Sequence, residues 1–163
     1  MSSSRPRTSR PRISIGWREW VALPDWGVGH IKAKIDTGAR TSALHAFDIE
    51  PFEQDGTAWA RFAIHPWQDS SEDVVVVEAP LLGQRSVRSS SGTALSRPVV
   101  STTMRLAEHD VPIEVTLTRR DEMGFRMLVG RRALRRRFVV DPARSYLGGR
   151  PDKDIIKRNR GKA

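Results

Sequence analysis

Residues 35–39 of this 163-residue chain are Ile35-Asp36-Thr37-Gly38-Ala39. The residues that lead into them, 30–35, alternate polar and apolar side chains, which is the period of a half-buried strand. Such a strand delivers the Asp36 carboxylate into a sharp turn, where a glycine lets two backbone segments approach closely. Because Asp and Gly are also ordinary turn formers, these residues alone favour a structural turn over a catalytic one.

A second informative segment is Met127-Leu128-Val129-Gly130-Arg131-Arg132-Ala133-Leu134. It begins as an apolar strand, passes through Gly-Arg and enters a run of good helix formers. Leu134 and Phe138 are four residues apart, so the pattern predicts a short helix over residues 131–138.

Most of the remaining chain has the pattern of strands, with β-branched and aromatic residues between Gly-containing turns. The predicted strands are residues 16–23, 30–35, 58–65, 72–79, 99–106, 113–118 and 127–129, and the predicted turns are 24–27, 55–56, 82–83, 91–92 and 123–124. Turn signals at intervals of roughly 10 to 20 residues, with few helical periods between them, favour an all-β sandwich or barrel.

The two segments, in this order, resemble the paired signature of retropepsin-like aspartic peptidases. The sequence is similar in particular to a bacterial group that carries the label ATP-dependent zinc protease and is associated with RimK-type ATP-grasp amino-acid ligases. The similarity spans roughly residues 15–147 and is carried by residues 34–44, 88–92, 97–100, 130–134 and 140–142. It implies an all-β fold, a retropepsin-like closed barrel with one short C-terminal helix.

The resemblance also implies an aspartic endopeptidase with Asp36 as its catalytic carboxylate. Such an enzyme needs two carboxylates that share one proton: one acts as a base toward water, and the other polarises the scissile carbonyl. The chain contains one Asp-Thr-Gly. A working pair therefore predicts a homodimer, with Asp36 from each protomer on a twofold axis.

The same resemblance implies roles for the residues around Asp36. Thr37 is expected to brace the pair across the interface, and Gly38 and Ala39 to leave room for the backbone of the peptide substrate. A flap is expected at residues 84–97, with Ser90 and Gly92 in its substrate-binding tip, although an ordinary surface loop explains that segment equally well. The strand expected to pack beneath the catalytic turn contains Leu128, Val129 and Gly130.

Arg40 departs from the retroviral pattern, which has an acid at this place to pair with the arginine of Gly-Arg. Arg40 and Arg131 cannot form that ion pair, and two cations beside the cleft would favour acidic residues in the substrate. We therefore predict acidic or glutamate-rich peptide substrates, which would suit a partner ligase that adds glutamates. The alternative is a non-catalytic regulator that binds an ATP-grasp glutamate ligase or the ribosome.

The charge of the chain is strongly positive, with a formal net charge of +9 and a pI of about 11.1, so its surface attracts anions. We predict a disordered basic arm at residues 1–12 and a disordered basic tail at 157–163, on either side of a retropepsin-like domain at 13–156. The arginines of residues 131–137 are interpreted as a solvated helix face or as a nonspecific RNA contact. A third hypothesis, an RNA-binding β-barrel, requires aromatic and basic residues on one exposed strand face.

Several classes of site have no signature in the sequence. The chain has no cysteine, which excludes disulfides, thiol nucleophiles and cysteine-based zinc sites. The histidines, at positions 30, 45, 65 and 109, lack metal-ligand spacing, and no phosphate-binding glycine loop is present. We therefore predict no metal, no other cofactor, no membrane contact and a cytoplasmic location.

Overall fold

The computed structural model describes residues 11–67, 74–88, 92, 94–119 and 124–155. The described residues form eleven strands, a 3-10 turn at Pro24–Trp26 and a helix, α1, at Arg131–Leu134. The strands are β1 (Ile13–Gly16), β2 (Arg18–Leu23), β3 (Val28–Ile35), β4 (Ser42–His45), β5 (Phe47–Gln54), β6 (Thr57–Ile64), β7 (Val75–Arg88), β8 (Ala94–Leu106), β9 (His109–Thr118), β10 (Met127–Val129) and β11 (Phe138–Asp141).

Nine of these strands form one sheet in the order β2-β3-β10-β4-β9-β8-β7-β6-β5. An additional pairing of β2 with β8, at Ala22 and Arg105, joins the first strand to the sixth and closes a ring. The strands β1 and β11 form a separate parallel pair. The predicted all-β barrel is therefore confirmed, and so is a short helix directly after β10.

The core lies inside the ring, because alternate side chains of each strand point inward. Val21 and Leu23 of β2 are buried together with Ile31, Ala33 and Ile35 of β3. The largest fully buried apolar side chains from the rest of the chain are Phe62, Ile15, Leu44, Ile64, Met104, Leu106, Leu117, Met127 and Val100. The core therefore supports the ends of β3 and β10, from which the candidate site projects.

The predicted helix at 131–138 is too long. The α1 helix ends at Leu134, Arg135 is extended with φ −62° and ψ 143°, and Arg136 has φ 72°. Phe138 is buried and begins β11, whose pairing with β1 starts at Ile13. The pairing with β1 thus overrides the helical spacing of Leu134 and Phe138.

Two other predictions change, one at Gly83 and one at Trp17. The predicted turn at 82–83 is wrong, because Gly83, with φ 141°, lies in a register shift inside the continuous strand β7. That shift is a β-bulge, for which an isolated glycine is also typical. The predicted strand at 16–23 is divided at Trp17 into β1 and β2, and β4, β5 and β11 were not predicted.

The turns predicted at 24–27 and 55–56 are confirmed, by the 3-10 turn that ends at Gly27 and by the β5–β6 hairpin. The residues 72–73 of a predicted strand, and Ser91 and Met123 of two predicted turns, lie outside the described residues. The predicted basic tail also lies outside them, as does the predicted basic arm except for residues 11–12.

Candidate active site

Asp36 is the first residue after β3, and its backbone is fixed by the neighbouring strand. The Asp36 N–H donates to the Val129 carbonyl of β10 over 2.9 Å, and the Ala39 N–H closes the turn on the Asp36 carbonyl at 3.2 Å. The Gly38 N–H donates to Asp36 Oδ1 at 3.0 Å. Asp36 is half-buried, while Thr37 and Gly38 are exposed. The turn therefore presents a carboxylate in one orientation, within reach of solvent.

The strand β10 lies directly beside this turn, between β3 and β4. Val129 is in register with Ile35, and Leu128 is in register with Ala43. Gly130 follows in a tightly packed position, where an added Cβ would lie 2.6 Å from both the carbonyl carbon and the oxygen of Thr41. Only glycine fits such a close approach of backbone to backbone.

Gly130 is also held by a buried hydroxyl that the sequence analysis missed. Its N–H donates to Ser42 Oγ at 3.1 Å, and the Ser42 carbonyl accepts from Thr116 Oγ1 at 3.3 Å. Ser42 and Gly130 are 88 residues apart in sequence, so no local pattern indicates this contact. It connects the strand beneath the turn to β4 and β9.

Arg131 contacts the Asp36 turn itself. Its Nη1 donates to the carbonyl oxygens of Gly38 and Thr37 at 2.9 and 3.3 Å, and its N–H donates to the Ala39 carbonyl at 2.7 Å. The sequence analysis predicted a substrate-binding role for Arg131. The observed contacts are with the backbone of the turn, so its guanidinium positions residues 37–38.

A groove of about 560 Å³ begins at Thr37 and runs along α1. Its polar lining is Thr37 and four arginines, and its apolar lining consists of Leu134, Phe138 and Val140. The arginines are Arg40, Arg131, Arg132 and Arg135. The structure thus brings the predicted residues Arg40 and Arg131 together with Thr37, along one strongly basic groove.

The predicted flap is a hairpin formed by β7 and β8, which pair as far as Arg88 and Ala94. Gly92 is exposed with φ 83°, and Ser90 lies outside the described residues. The root of the hairpin is tied to α1 by Glu114, another residue that the sequence analysis missed. Glu114 Oε2 lies 3.1 Å from Arg85 Nη2 and 3.7 Å from Arg132 Nη1.

The sequence of this chain matches a known protein family over most of its length. The sequence model of the RimB-like family, described as retropepsin-like aspartic endopeptidase RimB, matches residues 14–151. This chain belongs to the RimB-like family. The family resemblance stated from the sequence is therefore confirmed, and the Asp36 turn, β10 and α1 are elements of a retropepsin-like fold.

Curated relatives of this RimB-like chain are considerably longer proteins. A protein of Parasynechococcus marenigrum named "Probable alpha-L-glutamate ligase" is 47% identical over 135 residues, which are 83% of this chain and 29% of that protein. A protein of Shewanella halifaxensis with the same name is 42% identical over 145 residues, 88% of this chain and 32% of that protein. The chain thus spans about a third or less of the length of these relatives.

A solved structure supports the RimB-like fold as well. The crystal structure of a protein of unknown function from Legionella pneumophila matches with a TM-score of 0.72 and 27% identity. The match covers 85% of this chain and 99% of the other chain.

Two features are absent from the described part of this RimB-like chain. It contains no group of three or more His, Cys, Asp or Glu side chains that could hold a metal ion. None of its helices is long and apolar enough to cross a membrane.

Proposed function

We propose that this chain is an aspartic endopeptidase that acts as a homodimer, with Asp36 of each protomer forming the catalytic pair. The observation that carries the proposal is the accessible Asp36 carboxylate, oriented by the Gly38 N–H at 3.0 Å. In the pair, one carboxylate removes a proton from water, and the oxygen attacks the carbonyl carbon of the peptide bond. The protonated partner carboxyl donates to the carbonyl oxygen, and the amine leaves after its nitrogen is protonated.

The groove beside the turn supports the twofold arrangement. Thr37 is exposed and lines this groove together with the apolar residues Leu134, Phe138 and Val140, so a second protomer that contacts Thr37 would lie beside the groove. The chain has one Asp-Thr-Gly, so a symmetric contact through this region is the way for it to bring two such carboxylates together.

The charge of the groove supports an acidic substrate. Arg40 is exposed and forms no ion pair with another described residue, and Arg135 has the same properties. Arg131 is engaged with the turn, so Arg40 and Arg135 are the arginines proposed to meet substrate carboxylates. A guanidinium binds a carboxylate through two parallel hydrogen bonds. The names of the relatives refer to glutamate ligation, which supports glutamate-rich peptides as the substrate class.

A second candidate function is a non-catalytic partner of an ATP-grasp glutamate ligase or of the ribosome. The observation that favours it is the length of the relatives, in which a segment similar to this chain occupies 29% to 32% of a protein named as a glutamate ligase. The presence of such a segment in proteins with this name supports contact between this chain and a glutamate ligase. Both functions suit a cytosolic protein.

Peptide cleavage tests the leading proposal. We expect the chain to cut a glutamate-rich peptide and to cut the matched glutamine-rich peptide more slowly, because the glutamine side chains carry no charge for the arginines. Asp36→Asn should abolish cleavage of both peptides, since it removes the ionisable oxygen. Activity that survives in Asp36→Asn would overturn the aspartic mechanism, and equal cleavage of the two peptides would overturn the substrate class.

Mixing experiments test the dimer separately. When wild-type chain and Asp36→Asn chain exchange subunits at equal concentrations, roughly a quarter of the dimers carry two Asp36 carboxylates. Activity should therefore fall to roughly a quarter of that of the same total amount of wild-type chain, compared with roughly half for independent monomers. A value of a half, with subunit exchange demonstrated by mass, would exclude a shared pair. Absence of any cleavage together with capture of a glutamate ligase would favour the second candidate.

A further inference from the structure

A cluster of aromatic and basic side chains lies on the outer face of β2 and β3, outside the candidate active site. In the register of these strands Arg18 lies opposite Lys34, and Trp20 lies opposite Lys32. All four side chains are half-buried, because this face points away from the core. Directly opposed residues have Cβ atoms about 5 Å apart, so the four form one compact patch.

The cations of this face lie against aromatic rings. The guanidinium carbon of Arg18 is 4.8 Å from the centre of the Trp17 ring and 4.9 Å from that of Tyr146. The guanidinium carbon of Arg150 is 4.4 Å from the centre of the Tyr146 ring, and Lys32 Nζ is 5.9 Å from the centre of the same ring. Such distances are those of cation–π contacts.

Three of the cations on this face, Arg18, Lys32 and Arg150, are not paired with any carboxylate of the described residues. Within the described residues, the acids that form ion pairs with lysine or arginine contact other arginines: Arg61, Arg85, Arg105, Arg132 and Arg144. The patch therefore attracts anions from solution.

Tyr146 occupies an unusual backbone conformation that its neighbours impose. Its φ is 58°, which is uncommon for a large L-residue and unfavourable by roughly 1 kcal/mol or more. Its N–H donates to the Arg18 carbonyl at 3.0 Å. Backbone strain that the surrounding structure maintains is concentrated at functional sites, so the position of the Tyr146 ring indicates a functional role.

A buried carboxylate maintains that placement. Glu19 is 0% exposed, and its two oxygens accept hydrogen bonds from the N–H groups of Gly16, Leu147 and Gly148 at 2.7, 2.8 and 2.8 Å. Hydrogen bonds to an ionised acceptor are strong. Glu19 thereby fixes residues 147–148 to the junction of β1 and β2, and so places Tyr146 over the patch.

We propose that this face binds single-stranded nucleic acid, with phosphates at the N–H groups of Arg18, Lys32 and Arg150 and with bases stacked on the layer that these cations form with the rings of Tyr146, Trp17 and Phe125. Interleaved cations and aromatic rings on a strand face are what a single strand requires, since its phosphates are charged and its bases expose flat faces. An acidic peptide would use the cations but not the rings. This surface and its test do not depend on peptide cleavage by Asp36.

The test measures binding of the full-length chain to fluorescein-labelled 12-nucleotide oligouridine and oligothymidine by fluorescence anisotropy. Binding of either strand supports the proposal, and preference for the RNA would add contacts to its 2′-hydroxyls. We expect the double substitution Lys32→Ala with Arg150→Ala to raise Kd by about tenfold near 0.1 M salt. The matched control is Arg12→Ala with Arg137→Ala, which removes the same charge from two exposed positions beside the β1–β11 pair and should change Kd by less than about threefold.

Removal of a ring separates stacking from charge. Tyr146→Asn keeps the net charge and places a residue that tolerates positive φ, and it should raise Kd by roughly tenfold even at high salt, because stacking is not screened. If this variant does not fold, as judged by its thermal unfolding, Phe125→Leu provides the same comparison beside Lys32, whose Nζ is 5.7 Å from the Phe125 ring.

Three outcomes would overturn the proposal. The first is absence of oligonucleotide binding by the wild-type chain. The second is an equal loss of affinity in the two double variants, which would make binding a property of overall charge. The third is displacement of the oligonucleotide by inorganic polyphosphate of equal charge as effectively as by unlabelled strand, since polyphosphate has no bases to stack.

Discussion

Partly or fully exposed arginines lie at the Asp36 turn and on the outer face of β2 and β3, but their guanidinium groups have different kinds of partner in the two regions. At the turn, Arg131 directs its guanidinium edge at two backbone carbonyls, 2.9 and 3.3 Å away. On the outer face, Arg18 and Arg150 lie against the Tyr146 ring, at 4.9 and 4.4 Å.

The difference determines which further contacts each arginine can make. A carbonyl partner occupies N–H donors and fixes a geometry, whereas a ring partner contacts the plane of the guanidinium and leaves donors at its edge for an anion. The contacts of Arg131 therefore fix the position of the Asp36 turn, whereas the arginines of the outer face keep N–H donors with which to bind an anion. Substitutions in the first region should change geometry and stability, and substitutions in the second should change affinity alone.

The largest expected effect is that of Gly130→Ala, at the base of the Asp36 turn. Its Cβ would lie 2.6 Å from the Thr41 carbonyl, and both partners are backbone, so neither can move away cheaply. We expect a loss of about 3 kcal/mol in the free energy of unfolding, measured by urea denaturation.

Gly29→Ala is the matched control for that substitution. Gly29 lies on β3, the strand that leads to Asp36, and an added Cβ there meets nothing within 4 Å. Its stability should stay within about 0.5 kcal/mol of wild type. Equal stability of Gly130→Ala and Gly29→Ala would show that the turn is loosely packed and would contradict the comparison.

Local sequence pattern predicted the parts of the fold that are themselves local. The β3–Asp36 turn and the β10–α1 junction are recognisable because an apolar strand, a glycine and a polar or helical residue follow one another directly. The turn between β5 and β6 was likewise predicted from Asp55-Gly56, which have φ of 53° and 77°, whereas β5 itself was not.

Contacts between distant segments were beyond that reasoning. Phe138 has helical spacing from Leu134 but joins β11, because its pairing partner Ile13 lies at the other end of the domain. An isolated glycine is typical of a turn and also of a β-bulge, so the sequence predicted a turn at Gly83 where the structure has a bulge in β7. The contact of Ser42 with Gly130 has no local signature, because the two residues are remote in sequence.

An intermediate effect is expected for Arg131→Lys, which tests the positioning role. Lysine keeps the charge, but its flexible stem and compact ammonium group do not hold a donor rigidly at the position of Nη1, which contacts both carbonyls. We expect kcat for peptide cleavage to fall by about tenfold or more, since small displacements of catalytic groups are costly. The N–H of Gly38 should exchange its hydrogen faster, which can be measured by NMR without any substrate.

Arg150→Lys is the control from the other region and should leave kcat and the exchange rate of Gly38 unchanged. It keeps the charge at the Tyr146 ring, where a lysine also makes a cation–π contact. If Arg131→Lys behaved like Arg150→Lys in both measurements, the carbonyl contacts of Arg131 would not position the turn.

The smallest effect concerns an arginine held in a third way, by a carboxylate. Arg105 Nε lies 2.8 Å from Asp110 Oδ1 across the β8–β9 hairpin, and both side chains are about half exposed. The hydrogen bond from Arg105, aided by its charge and opposed by partial desolvation, lowers the pKa of Asp110. A lowered pKa in the folded state stabilises the fold at pH values above the unfolded value of about 3.9, and this contribution is lost as the pH falls through the folded pKa.

Arg105→Ala should therefore raise the pKa of Asp110 toward its ordinary value, as followed by NMR titration of the carboxyl group. Water screens an exposed pair, so the stability difference between wild type and variant should be small at neutral pH and should vanish as Asp110 becomes protonated. A stability difference that persisted at low pH would mean that Arg105 acts through packing. In that case Arg105 would act through contacts of its side chain, as Arg18 and Arg150 do with their rings, and not through an ion pair.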